Sequence, residues 1–220
     1  FLYETFNHPS RPLTIILGGS KIGSKLPLIK RFITEADYLI IGGGMVFTLL
    51  KALGYGIGKS IFDSESIDAA NEIVKIAQNM GKKLILPKDF RVTNDIGSSE
   101  VIGERLVGEI DENEIGVDIG PISEKEFNQF IEKSETVIWN GPMGIFETEA
   151  FSEGTKSIAE ALARMTKNGG VSIIGGGDSA SAAKFFNLDK DMTHISTGGG
   201  ASLELLAGNE LPAMRALRMT

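Results

Sequence analysis

The sequence predicts an α/β protein with a doubly wound, mostly parallel sheet and a small peripheral β segment. Three observations support this fold class: short apolar stretches alternate with helical ones, several of these stretches run directly into glycines, and helical periodicity resumes after each glycine turn. A short apolar strand that ends in glycine and leads into a helix is typical of a βα unit. Sheets of this kind bind ligands beyond the carboxyl ends of their strands.

The predicted elements follow in order along the chain. Strands are expected where β-favouring apolar residues run together, at residues 13–17, 38–41, 84–86, 136–139, 171–174 and 194–197. Two helices are expected to end near residues 32 and 53, and others to cover 67–80, 123–133, 152–166 and 179–186. The helix at 123 would begin with the capping box Ser123–Glu126. Between residues 88 and 118 the pattern weakens into short β segments, which indicates the peripheral sheet.

Composition limits the classes of function. The chain has 220 residues, a net charge of −7, 27 glycines and no cysteine. The negative charge and the absence of a Lys/Arg tract argue against nucleic acid and anionic membranes as partners, and no apolar run is long enough to span a bilayer. The lack of cysteine excludes disulfides and thiolate chemistry and fits a reducing compartment. We therefore expect a cytoplasmic protein, and also a monomer.

One stretch organises the chain. A predicted buried strand at 171–174 ends in Gly175, Gly176 and Gly177, and the chain continues through Asp178 and Ser179 into a helix. Glycines allow backbone amides to approach an anion, and a helix N-terminus adds positive potential. A carboxylate beside a phosphate is repulsive unless a divalent cation lies between them. Asp178 is thus a candidate Mg²⁺ ligand, and a helix N-cap is the alternative interpretation.

Two lysines follow the first glycine turn. Lys21 and Lys25 are four residues apart, so they share one face near the start of the first helix. Cations at a helix N-terminus are unfavourable unless a polyanion is bound there. The pair therefore indicates phosphate binding, with two solvated surface lysines as the alternative.

A second segment resembles a phosphate-binding loop but does not have the spacing or the position of one. Gly58, Lys59 and Ser60 resemble the end of a nucleotide-binding loop, but the preceding glycine is one residue too close and the segment follows a helix rather than a strand. We interpret residues 54–60 as a flexible connection.

Four segments resemble motifs of the phosphoglycerate kinase family. They are GGSK at 18–21 with Lys25 behind it, WNGPMGIFE at 139–147, IGGGDSA at 174–180 and HISTGGGASLELL at 194–206. The resemblance covers the C-terminal, nucleotide-binding half of that family. It implies that residues 1–12 end an inter-domain helix, that 13–210 form the nucleotide-binding domain, and that 211–220 reach back to a missing N-terminal domain, which would bind phosphoglycerate.

The resemblance also implies a function and a set of site residues. The function is binding of Mg·ADP or Mg·ATP for reversible phosphoryl transfer between 1,3-bisphosphoglycerate and ADP in glycolysis, and we expect this chain alone to bind nucleotide but to be nearly inactive. Lys25 and the helix-end amides of Gly198, Gly199 and Gly200 would act on the phosphoryl group, and Asp178 would hold Mg²⁺. The implied nucleotide-binding residues are Gly18, Gly19, Lys21, Lys25, Gly42, Gly43, Ile61, Asn140, Pro142, Glu147, Gly175, Gly176, Gly177, Asp178 and Ser179.

Within that set, the resemblance implies that the adenine pocket is lined by Gly42, Gly43 and Ile61. It implies that the ribose is held by Asn140, Pro142 and Glu147.

Two other classes of function are open to test. A dinucleotide-dependent oxidoreductase would need an acidic residue at the end of the second strand, where this sequence has Gly42. A nucleotide-binding module without catalysis is the other alternative.

Overall fold

The computed structural model describes residues 8–79 and 83–196. These residues form nine strands: β1 (Leu13–Leu17), β2 (Tyr38–Ile41), β3 (Lys83–Ile85), β4 (Asp89–Thr93), β5 (Gly103–Leu106), β6 (Ile115–Ile119), β7 (Thr136–Asn140), β8 (Val171–Gly175) and β9 (His194–Ser196). The α-helices are α1 (Leu26–Glu35), α2 (Val46–Ala52), α3 (Ile67–Asn79), α4 (Pro121–Glu132), α5 (Glu153–Lys167) and α6 (Gly177–Phe185). No helix in this described part is long and apolar enough to cross a membrane.

Six strands form one parallel sheet in the order β3-β2-β1-β7-β8-β9. The chain first builds outward from β1 to β3, then returns beside β1 with β7 and builds outward on the other side. The strand order therefore reverses between β1 and β7. In open α/β sheets such a switch point leaves a crevice beyond the carboxyl ends of the two strands.

The helices cover both faces of this sheet. Side chains alternate along β1, so Leu13, Ile15 and Leu17 pack with α1, α2 and α3, whereas Ile16 points to the opposite face and packs with α4, α5 and α6. These strands are apolar throughout because both of their faces are buried. The rigid sheet places its strand ends side by side at one edge.

Three antiparallel strands form the small sheet, in the order β5-β4-β6, between β3 and β7 in the chain. Phe90 and Val92 of β4 pack against α2, and the rings of Phe47 and Phe90 lie 4.8 Å apart between centroids. This contact holds the small sheet next to the carboxyl end of β2. The fold class predicted from the sequence is confirmed, including the peripheral sheet, although β5 was not anticipated.

The predicted start of α4 is wrong. The helix begins at Pro121, with Gly120 as its N-cap. The side chain of Asp89 in β4 caps the helix instead, because its carboxylate accepts hydrogen bonds from the amides of Ile122 (3.0 Å) and Ser123 (2.8 Å). The Ser123 hydroxyl accepts instead from the amide of Lys88 at 2.8 Å. A carboxylate from a distant strand has replaced the local capping box.

Four predictions fall outside the described residues. They concern residues 1–7 of the expected end of an inter-domain helix, the end of the last strand at 197, the glycine turn Gly198–Gly200 and the tail at 211–220.

Candidate functional site

Two neighbouring cavities lie over the switch point. The first, about 380 Å³, is enclosed by the turns after β1 and β2, by the small sheet and by the loop after β7. The second, about 360 Å³, lies between the ends of β1, β7 and β8 and the start of α6. Gly19, Ser20 and Asp178 line both. The two cavities are therefore parts of one cleft, called here the apolar cavity and the glycine cavity.

The apolar cavity has ring and aliphatic walls. Its walls include the buried side chains of Phe47, Phe90 and Val117. Two exposed side chains also line it: Ile61, which follows α2 and is 54% exposed, and Ile96, which follows β4 and is 45% exposed. Its charged lining residues are Lys59, Asp118, Glu147 and Asp178. A concave, mainly apolar space with a few polar groups suits a flat organic ring.

The floor between the strand ends is packed tightly on glycine. A Cβ atom on Gly18 would lie 2.1 Å from the Pro142 carbonyl oxygen, and one on Gly42 would lie 2.4 Å from Met143 Sδ. The amide of Gly18 donates to the Asn140 carbonyl at 2.9 Å, and that of Gly19 to the Pro142 carbonyl at 2.9 Å. Gly18 and Gly42 line neither cavity. They allow the loop after β7 to lie directly on the ends of β1 and β2.

The start of α6 faces the glycine cavity. Gly176, with φ 99°, is the N-cap of this helix, and a Cβ on Gly177 would meet no atom within 4 Å. The Ser179 hydroxyl is buried and accepts from the Gly141 amide at 2.6 Å. Asp178 is exposed in the first turn and makes no side-chain cap. The N-cap interpretation of Asp178 is wrong, and the carboxylate instead stands at the boundary of the two cavities.

Both lysines line the glycine cavity, but the shared helix face predicted from their spacing is wrong, because α1 begins at Leu26 and both residues precede it. The two side chains also differ in environment. Lys21 is exposed, whereas Lys25 is half-buried at the end of the short turn Gly23–Lys25 that precedes α1. Lys25 Nζ donates to the Gly18 carbonyl (2.6 Å), the Asn140 carbonyl (3.0 Å) and Asn140 Oδ1 (2.7 Å). Burial lowers the pKa of Lys25 to about 8, and the negative charge of Asp178 acts in the opposite direction.

The carboxylates of the cleft limit the kind of metal site. Among residues 8–79 and 83–196 there is no group of three or more acidic or histidine side chains that could hold an ion. Mg²⁺ characteristically takes one or two protein carboxylates, with phosphate oxygens and water as the other ligands. The single carboxylate of Asp178 beside the glycine cavity fits an ion that arrives with a polyphosphate, rather than one held in a protein cage.

Deeper contacts fix the loop after β7. Thr155 of α5 is fully buried, and its hydroxyl accepts from the amides of Met143 (3.0 Å) and Gly144 (3.3 Å). Asp118 of β6 accepts from the Gly154 amide at 2.6 Å, which ties α5 to the small sheet. Burial raises the pKa of Asp118 to about 8, against the hydrogen bond from Gly154 and the charge of Arg91, which lower it.

The structure brings most of the predicted site residues together. Those lining the apolar cavity are Gly19, Gly43, Ile61, Pro142, Glu147 and Asp178. Those lining the glycine cavity are Gly19, Lys21, Lys25, Asn140, Gly175, Gly176, Gly177, Asp178 and Ser179. Asn140 thus lies apart from Pro142 and Glu147, with which the resemblance had grouped it.

Sequence reasoning missed several lining residues of the apolar cavity: Phe47, Lys59, Phe90, Ile96 and Val117. Lys59 comes from the segment interpreted as a flexible connection. That segment is in fact bound to β6, because the Lys59 amide donates to the Glu114 carbonyl at 2.8 Å and Ser60 Oγ accepts from the Gly116 amide at 2.8 Å. Its contact with β6 has no local sequence signal.

The reversed strand order and the cleft above it define a doubly wound α/β protein with a ligand site at its switch point. The family model for phosphoglycerate kinase matches residues 1–209. The chain belongs to the phosphoglycerate kinase family.

Individual relatives agree with this assignment. The phosphoglycerate kinase of Dictyoglomus turgidum is 48% identical over 215 residues, which are 98% of this chain and 54% of that protein. The structure of phosphoglycerate kinase from Coxiella burnetii superposes with a TM-score of 0.93 at 38% identity, over 99% of this chain and 55% of that one. The structure of phosphoglycerate kinase from Pyrococcus horikoshii superposes with a TM-score of 0.80 at 27% identity, over 99% of this chain and 54% of that one. The chain spans about half the length of the relatives it matches.

Proposed function

We propose that this chain is the nucleotide-binding half of a phosphoglycerate kinase and binds Mg·ADP or Mg·ATP along the cleft. The observation that carries the proposal is the continuity of the apolar cavity with the glycine cavity through Gly19, Ser20 and Asp178. A nucleotide has the same two parts, an apolar ring and a charged phosphate chain. The names of the relatives, all phosphoglycerate kinases, support the same reading.

The base would occupy the apolar cavity. Gly43 and Ile61 line that cavity with the buried Phe47 and Val117, so a purine bound there would lose contact with water over part of its surface. Pro142 and Glu147 line it from the loop after β7 and would lie beside the ribose. Gly18 and Gly42 would support this pocket from below rather than touch the nucleotide.

The phosphates would occupy the glycine cavity. The start of α6 presents the backbone amide of Gly177, since that of Gly176 already donates to the Ser196 carbonyl at 3.2 Å, and the exposed Lys21 adds a positive charge at the same cavity. Asp178 would hold Mg²⁺ against the phosphates. When bound, the ion would neutralise part of the phosphate charge.

The chemistry that this arrangement suits is phosphoryl transfer. Transfer between 1,3-bisphosphoglycerate and ADP needs positioning and charge neutralisation rather than a protein nucleophile. Lys25 would orient and stabilise the transferring group, and the amides of Gly198–Gly200 are proposed to do the same from the last glycine turn. Glycine follows β2 at Gly42, which leaves no carboxylate there for a dinucleotide ribose and argues against an oxidoreductase.

The chain alone should be nearly inactive. Proximity of two reactants can account for about 7–11 kcal/mol of barrier lowering, and it requires that both be held. The sequence has no cluster of Arg and His residues to bind phosphoglycerate. In a coupled assay, we expect ATP formation when the N-terminal domain of the family is added and negligible formation without it. Turnover by the chain alone, at the rate of a two-domain enzyme, would contradict this part of the proposal.

Calorimetric titration tests nucleotide binding itself. We expect one Mg·ADP per chain, with weaker binding when Mg²⁺ is removed, and the dependence on Mg²⁺ should be largely lost in Asp178→Asn. Asp68→Asn removes the same charge at an exposed position of α3. It is the matched control and should keep the dependence of binding on Mg²⁺. No binding at millimolar Mg·ADP, or an unchanged Mg²⁺ dependence in Asp178→Asn, would contradict the proposal.

A further inference from the structure

We infer that Asn140 is a positioning residue, which holds the Lys25 ammonium at the junction of β1, β7 and β8 and acts on bound phosphates through Lys25. This inference rests on the proposed function for its effect on phosphates. Its structural part concerns the protein without ligand.

The side chain of Asn140 is fully engaged inside the protein. The residue ends β7 and is 3% exposed. Its Oδ1 accepts from Lys25 Nζ at 2.7 Å, and its Nδ2 donates to the Gly175 carbonyl of β8 at 2.5 Å. The orientation of the amide is fixed by chemistry, since an ammonium can only donate and a carbonyl can only accept. A single side chain therefore connects the lysine to the neighbouring strand.

The environment of Lys25 matches an ammonium group. Its three oxygen acceptors, two of them from Asn140 and one from Gly18, equal the three N–H donors of the charged form. The charged side chains that line the same cavity are Lys21, from the turn after β1, and Asp178, from α6. Burial lowers the pKa of Lys25 to about 8, so a loss or gain of one acceptor changes the fraction that is charged near neutral pH.

Two substitutions separate positioning from a structural role. Asn140→Asp keeps an oxygen toward Lys25 and adds a negative charge, but it loses the N–H donor to Gly175. Asn140→Leu loses both contacts at similar volume. Both variants lose the Gly175 contact, so a residue that served only the fold would affect them in the same direction. If Asn140 holds the ammonium, the two substitutions should shift the pKa of Lys25 in opposite directions.

The measurement is the titration of the lysine ¹³Cε signals in the full chain without nucleotide, with Lys25→Arg to assign the signal. We expect Asn140→Asp to raise the pKa of Lys25 by about one to three units, as an adjacent carboxylate does. We expect Asn140→Leu to lower it by about one unit, the loss of one charged hydrogen bond. If Leu prevents folding, Asn140→Ser replaces it, with the same expected direction. A pKa that moves the same way in both variants, or in neither, would overturn the inference.

Nucleotide binding gives a second readout. The affinity of wild-type chain for Mg·ADP should fall as the pH rises through about 8, because Lys25 loses its charge, and Asn140→Leu should show the same fall at lower pH. Lys25→Arg should show no such fall, since arginine stays charged. An unshifted affinity profile in Asn140→Leu would overturn the inference. If the wild-type chain binds no nucleotide at any pH, the proposed function fails, and the ligand-free titrations still decide whether Asn140 holds Lys25.

Discussion

The close contact between β1 and the loop after β7 makes Gly18→Ala the most informative change to the fold of the site. The new Cβ would lie 2.1 Å from the Pro142 carbonyl oxygen, 2.4 Å from the Gly141 carbonyl oxygen and 2.6 Å from Met143 Cε. The methionine methyl can turn aside, but the two oxygens belong to backbone held by the Gly19 amide (2.9 Å) and by the indole of Trp139 (2.7 Å). The loop must lift to admit the methyl group.

The cost follows from these contacts. Overpacking of this kind costs about 1–3 kcal/mol, and weakening two backbone-directed hydrogen bonds adds about 0.5–1.5 kcal/mol for each. We therefore expect Gly18→Ala to lower the free energy of unfolding by roughly 2–6 kcal/mol. That is a large fraction of the roughly 5–15 kcal/mol that stabilises a typical domain.

Denaturant unfolding followed by fluorescence measures this cost. Trp139 is the single tryptophan of the chain, is fully buried and contacts the Gly141 carbonyl, so its emission reports on the loop directly. Gly56→Ala is the matched control, because a Cβ there meets no atom within 4 Å, and it should change stability by no more than about 0.5 kcal/mol. Equal stability of the two variants, with unchanged tryptophan emission, would refute the described packing of the loop on β1.

Two further predictions concern the cleft and the residues below it. Gly177→Ala places a methyl group in open space, so the free energy of unfolding should stay within about 0.5 kcal/mol of wild type. The affinity for Mg·ADP should fall about tenfold or more, because a phosphate loses an amide contact. Equal affinity by calorimetry would argue against phosphate binding there. For Asp118, the folded-state pKa of about 8 lies above the unfolded value, so its contribution to stability is full below about pH 4, falls as the pH rises and is lost above about pH 8. Wild type should therefore lose stability relative to Asp118→Asn between about pH 4 and pH 8, and a constant difference in denaturant unfolding would show that this carboxylate does not titrate in that range.

Local patterns predicted the parts of the protein that local chemistry determines. The strand that ends at Leu17 and the glycines after it are adjacent in sequence, as are Gly175 and Asp178, so the turns at the carboxyl edge could be located from the chain alone. The switch-point position of the cleft then follows from the rule that parallel strands end at one edge of the sheet.

The remaining features depend on contacts between distant residues. Asp89 caps α4 across more than 30 positions of sequence, so a local capping box at Ser123 gave the wrong start. Phe90 and Ile96 reach the apolar cavity because the small sheet packs on α2, which no spacing within residues 88–118 encodes. The hydrogen bond from Lys25 to Asn140 likewise joins the turn before α1 to the end of β7, and these two residues are far apart in the chain.

The central claim is that one nucleotide spans the two cavities at the carboxyl edge of the large sheet. Amide ¹H–¹⁵N spectra of the labelled chain, recorded during a titration with Mg·ADP, test it residue by residue. The account predicts that the largest shifts fall on the apolar cavity at Gly43, on the shared boundary at Gly19 and on the glycine cavity at Gly177. Shifts concentrated on the far groove between α4 and α5, at residues such as Asn128 and Ser157, or no shifts at millimolar Mg·ADP, would contradict it.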